Sequence, residues 1–175
     1  QAITRDGRDT RLRVYVPNLG PSRLLILFIH GGAWVAGNLD THDNLARYLC
    51  SQVGAVVASV EYGNSPEAKF PLPLEQCVDA LMWMIEHAPD FFLDVSRIAV
   101  VGDSAGGNLA AALCLLMRDR SGPKINLQVL INPAPDLTCK GKLERDGDAF
   151  LDAMRWQAVA YVSDPQDVYN GYVLP

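Results

Sequence analysis

The chain alternates short apolar runs with longer stretches in which apolar residues recur at helical spacing. Arg11–Val16 alternates polar and apolar positions and stops at Pro17, the pattern of a half-exposed strand near a sheet edge. Leu24–His30 is apolar until its last residue, as expected of a strand covered on both faces. A glycine-rich loop leads to a predicted helix from about His42 to Val53, with Thr41 as N-cap and Leu45, Tyr48, Leu49, Gln52 and Val53 marking its inward face. Ala55–Val60 predicts a second buried strand. Gly63–Pro73 holds three prolines and reads as a loop. Leu74, Cys77, Val78, Leu81, Met84 and Ile85 then predict a helix to about His87. Arg97–Val101 reads as a short strand, and Ala105–Arg118 as a helix with Leu109, Ala112, Leu113 and Leu116 inward. Leu127–Ile131 is the last clear strand, and Asp148–Val162 predicts a further helix. There is no internal repeat and no low-complexity linker.

Strands alternating with helices at this spacing imply βαβ units, and so an α/β fold with a mostly parallel sheet and helices on both faces. A fold class leaves function open, so the loops at the strand ends must supply it. The 175 residues suit one domain, and 49% apolar with 20% charged residues is the balance of an ordinary globular core. A net charge of −5 without a basic stripe argues against nucleic acid and anionic membrane surfaces as partners. No apolar run approaches the roughly 20 residues of a membrane span. The polar start, QAITRDGRDT, is unlike a signal peptide. Cys50, Cys77, Cys114 and Cys139 show no C-x-x-C and no nearby histidine, so core packing in a reducing, cytoplasmic setting is expected, with no metal.

Candidate chemistry begins at Gly102-Asp103-Ser104-Ala105-Gly106, a G-x-S-x-G sequence between a predicted strand and a predicted helix. A nucleophilic serine needs a tight strand-to-helix turn that lifts its hydroxyl clear of the sheet, and the flanking glycines leave room for the crossing backbone. The helix N-terminus behind Ser104 favours a developing negative charge. His30-Gly31-Gly32-Ala33-Trp34 closes the first buried strand. Its adjacent glycines suit either a flexible turn with Trp34 merely packing, or a loop whose bare N–H groups approach a substrate oxygen. With the serine turn, they fit the two halves of an oxyanion hole.

These motifs, with the SPEAKFP segment at Ser65–Pro71 and GDSAGGN at Gly102–Asn108, resemble the hormone-sensitive-lipase-like family of α/β-hydrolases, especially its bacterial acetyl-esterase branch. The resemblance runs from the strand at Arg11 through NPAPDLT at Asn132–Thr138 to the helix beyond. It implies an α/β-hydrolase fold with Ser104 as nucleophile, Gly32, Ala33 and Ala105 as oxyanion donors, and no cofactor. His30 and Gly31 would support the oxyanion loop, while Gly102, Asp103 and Gly106 would shape the nucleophile elbow. Ala33 stands where the family often has glycine, which keeps the donor and narrows the loop. The family's arginine after the tyrosine of Tyr-x-x-x-Pro-Glu is absent, since Gly63 follows Tyr62; that puts a local contact in doubt, not the chemistry.

Other polar residues read as structural. His42 begins a helix and His87 ends one, where a histidine suits the dipole. Asp136 and Asp164 precede turns and read as caps. Glu67 is expected to brace its loop, and Met82, Trp83 and Met84 to pack.

The family's chain order is Ser, then Asp, then His, yet His30, His42 and His87 all precede Ser104. The resemblance thus implies a partial catalytic domain over residues 1–175, lacking the N-terminal cap and the last strands, with about 148–175 starting a cap segment. A naturally short relative that has lost hydrolysis is the competing explanation. The expected function is a serine carboxylesterase acting on short acyl esters, the chain alone being inactive or nearly so. The alternative is a non-catalytic ligand-binding module on a hydrolase fold. Were these residues the whole polypeptide, the open edge of Leu127–Ile131 would invite self-association or a complementary chain.

Overall fold

The computed structural model describes residues 2–18, 24–137 and 149–175. Cys139, Thr138 and Asp148 lie outside the described residues. Six strands form one sheet: β1 (Ala2–Arg5), β2 (Arg8–Tyr15), β3 (Leu25–Ile29), β4 (Val56–Glu61), β5 (Ile98–Asp103) and β6 (Leu127–Ile131). They lie in the order β1-β2-β4-β3-β5-β6. The β1–β2 and β2–β4 pairs are antiparallel, and the pairs among β4, β3, β5 and β6 are parallel. The helices are α1 (Asp43–Val53), α2 (Leu72–Glu86), α3 (Ala105–Asp119) and α4 (Ala149–Tyr161).

Period-two alternation sends successive side chains of each central strand to opposite cores. Leu25, Leu27 and Ile29 join Val56, Ala58, Val60, Ile98 and Val100 in a core with α2 and α3. Ile26 and Phe28, with Val57, Ala99 and Val101, form a smaller core with Ala46 and Cys50 of α1. Double burial explains why these strands are apolar throughout. β6 differs: Leu127 and Val129 are 56% and 38% exposed, and its outer edge is unpaired among the described residues. No helix among the described residues is long and apolar enough to cross a membrane.

The strand at Arg11 lies near the sheet edge, as expected, with β1 outside it and joined to it through Asp6-Gly7 at φ 49 and 76. Asp-Gly is the residue pair that a two-residue hairpin turn favours. Thr41 does not cap α1. Its hydroxyl contacts Asn38 and the His42 ring, and His42 takes the N-cap position without a side-chain cap bond. The inward face of α1 is Ala46 and Cys50, flanked by Leu45 and Leu49, while Tyr48 and Val53 are exposed. Small residues let the helix approach the sheet, and they win the buried stripe over larger neighbours. Helix α2 also starts earlier than expected, since Pro73 is tolerated in a first turn.

The β1–β2 hairpin is fastened to α2 by charge. Arg8 Nε and Nη2 each donate to an Asp79 carboxylate oxygen at 2.9 Å, and the Asp79 side chain is 2% exposed. Removing one partner of such a pair strands the other charge, although Arg8 keeps 25% exposure and part of its hydration. Asp79→Ala should therefore cost about 2–3 kcal/mol, less than a fully buried pair. Urea unfolding will show this as a lower midpoint at unchanged slope; an unmoved midpoint would mean that apolar contacts alone hold the hairpin.

Candidate active site

Ser104 ends the turn from β5 and opens α3, at φ 52 and ψ −115. A side chain holds such a backbone only where its surroundings fix it. Here the Ser104 N–H donates to Ile131 O at 2.8 Å, and its carbonyl accepts from Asn108 and Ala134 N–H at 3.1 and 3.3 Å. Asn108, fully buried, donates through its side-chain amide to Ala134 O and Val173 O at 3.0 and 2.9 Å. The turn also needs its glycines. A Cβ on Gly102 would collide with the Gly106 carbonyl, and one on Gly106 with the carbonyls of Ile29 and His30. The second collision brings the start of α3 onto the end of β3, where the His30–Trp34 loop begins.

That loop lies directly against the serine turn. A Cβ on Gly31 would stand 2.7 Å from Asp103 Oδ2, 2.9 Å from Asp103 O and 3.2 Å from Ser104 Cβ. Gly32, Ala33 and Trp34 follow at φ 128, 55 and 62. Val35 and Ala36 N–H close the turn on Gly32 O at 3.0 and 2.9 Å. The N–H groups of Gly32 and Ala33 donate to no backbone acceptor among the described residues. Ala105 N–H belongs to the set that every helix start leaves free. Uncovered successive amides of this kind favour an anion.

His30 is fully buried under this loop. Its Nδ1 lies 2.8 Å from Gly31 O, its ring stacks on Tyr62 at 4.3 Å, and the Tyr62 hydroxyl donates to His30 O at 2.9 Å. Burial pushes the imidazole down to about 4, with the Gly31 carbonyl pulling the other way, so the ring is neutral at pH 7. Trp34 stacks on Tyr161 of α4 at 4.8 Å, and Phe70 meets the same ring edge-on. The segment after residue 148 thereby packs over the loop.

The remaining polar candidates separate. Asp164 caps the 3-10 turn Pro165–Tyr169 in a reciprocal capping box. His87 ends α2, with Nδ1 2.9 Å from Trp83 O and its ring stacked on Trp83. Met84 is fully buried, and Met82 and Trp83 pack against the core. Glu67 is exposed, and the loop is braced instead by Ser65 donating to Ala68 O, Gly63 N–H to Gln76 and Lys69 to Val162 O. His42 does more than open a helix, since its Nε2 lies 3.3 Å from Asp103 Oδ2. Among the described residues no histidine or carboxylate hydrogen-bonds the Ser104 hydroxyl, and no group of three or more His, Cys, Asp or Glu is placed to hold a metal. Cys50, Cys77 and Cys114 are free; Cys50 and Cys77 are buried and Cys114 partly so.

A mostly parallel sheet with a strand–serine–helix turn packed against a glycine loop is the architecture of an α/β-hydrolase. The chain belongs to that family: residues 26–175 match the family model described as alpha/beta hydrolase fold, and the motifs place it in the hormone-sensitive-lipase-like group. It is similar to an ethyl acetate hydrolase of Pseudomonas putida, 35% identical over 94% of this chain and 54% of the relative. An arylesterase of Saccharolobus solfataricus is 35% identical over 99% and 58%. Among solved structures, a hyperthermophilic esterase of Pyrobaculum calidifontis superposes with a TM-score of 0.91 at 39% identity, covering all of this chain and 58% of that one. The chain thus spans about half the length of the curated relatives it matches.

Proposed function

We propose that the protein carrying this chain is a serine carboxylesterase acting on short acyl esters. The observation that supports the reading most is the close approach of the Gly31 backbone to Asp103 and Ser104, as an oxyanion loop beside the nucleophile requires. The Ser104 hydroxyl attacks the acyl carbon and gives its proton to a base. The carbonyl oxygen becomes an oxyanion held by the N–H groups of Gly32, Ala33 and Ala105. The intermediate collapses with loss of the alcohol, which takes the proton, and water then frees the acid and restores Ser104. Neutral, buried His30 braces the loop and takes no part in proton transfer. The base is a histidine beyond these residues, as the family's order of triad residues implies. The relative named for ethyl acetate hydrolysis supports a small acyl group. Residues 149–175 form part of a cover over the oxyanion loop, and the free thiols support a cytoplasmic setting.

A fluorophosphonate probe tests this directly, since it bonds covalently only to an activated serine. The full-length protein should take up one label, mapped by peptide mass to Ser104, and should hydrolyse p-nitrophenyl acetate. A folded full-length protein that stays unlabelled and inactive would make the chain a ligand-binding module on a hydrolase fold.

A further inference from the structure

We infer that His42 is a positioning residue for the nucleophile, holding the Asp103 carboxylate against the oxyanion loop so that Ser104 and the loop amides keep one spacing. The inference rests on the esterase reading above. Asp103 is joined by its peptide bond to Ser104, and its Oδ2 has two neighbours. One is the backbone of Gly31, close enough that a Cβ there would stand 2.7 Å away. The other is His42 Nε2 at 3.3 Å. His42 stands at the head of α1, on neither the serine turn nor the loop. Helix α1 is seated on the sheet through Ala46 and Cys50, so His42 gives Asp103 an anchor fixed to the core. The carboxylate lies between that anchor, to which it is hydrogen-bonded, and the backbone of Gly31, which it stands close beside.

The anchor is itself oriented. His42 Nδ1 lies 2.9 Å from Thr41 Oγ1, and Asn38 N–H donates to the same oxygen at 3.0 Å. The Thr41 hydroxyl gives its own hydrogen to Asn38 O at 2.9 Å; since a carboxylate only accepts, the contact with Asp103 is made through a hydrogen on His42 Nε2. The two partners are partly buried, at 20% and 29% side-chain exposure, where a hydrogen bond to a carboxylate keeps its strength. Ser104 sits at a positive φ that only its surroundings sustain. Releasing Asp103 lets the turn and the loop drift apart, and a slip of about 1 Å at a reacting group can cost roughly a hundredfold in rate.

The test compares His42→Ala, His42→Gln, Asp103→Ala and the double variant His42→Ala/Asp103→Ala in the full-length protein. Two readouts are taken, p-nitrophenyl acetate kinetics and the rate of fluorophosphonate labelling at Ser104. His42→Ala should lower kcat and the labelling rate roughly tenfold to a hundredfold, with KM within about twofold. His42→Gln, whose amide N–H can still reach Asp103, should recover most of the loss. The double variant should be no slower than the slower single variant, because both changes remove the same hydrogen bond. An unchanged kcat in His42→Ala, losses that multiply in the double variant, or no recovery with glutamine would each overturn the assignment. Failure of the underlying esterase reading looks different: the parent protein would not label at Ser104.

Discussion

Ser104→Ala should abolish ester hydrolysis in the full-length protein while leaving its fold intact. Losing a triad member leaves only about 10³–10⁴-fold acceleration over water, supplied by binding and the oxyanion donors. The fold survives because the serine side chain makes no cap bond to α3, and the bonds that fix this turn come from its backbone. Alanine faces the same positive φ as serine. The change in unfolding free energy should therefore stay within about 0.5 kcal/mol, as for substitutions that remove no buried partner. Steady-state kinetics and urea unfolding on the same preparation check both halves. Turnover near that of the parent would remove Ser104 from the mechanism and leave the glycine turn as a packing device.

The glycine turn around Ser104 was easier to read in the sequence than its scaffolding. Gly102 and Gly106 announce themselves because a close backbone crossing forbids side chains on either side of Ser104, and the structure shows those crossings. The doubly buried strands were legible for a similar reason, since both faces demand apolar residues. Other features depend on distances that spacing cannot express. The four-residue β1 has only Ile3 facing the core, so its pattern is too short to stand out; Asp6-Gly7 was the available signal. The buried face of α1 is lined by the small residues Ala46 and Cys50, while the larger Tyr48 and Val53 are exposed, and a pattern that looks for bulky apolar residues picks the wrong stripe. His42 and Asp103 are 61 positions apart. They meet because β5 lies next to β3 while α1 covers that side of the sheet, and strand order is not written in local periodicity.

Gly32→Ala should cut kcat by about 10²–10³, the worth of one oxyanion donor, with a much smaller change in KM. Gly32 sits at φ 128, and a Cβ there would run into the Ala36 carbonyl that follows the loop's own turn. The turn cannot absorb the methyl by a side-chain rotation, because both clashing groups are backbone. It must open, breaking the bonds from Val35 and Ala36 N–H to Gly32 O and swinging the amides of Gly32 and Ala33 away from Ser104. Those amides matter most when negative charge has formed on the substrate oxygen, so their displacement weakens transition-state binding far more than substrate binding. Ala33→Gly is the matching control. Glycine adopts φ 55 at least as readily as alanine, so the loop and its donors stay in place and kcat should remain close to that of the parent. Kinetics on the two variants and the parent separate the outcomes. If Gly32→Ala raises KM and leaves kcat alone, the loop holds substrate without stabilising the oxyanion, and the donor assignment to Gly32 and Ala33 fails.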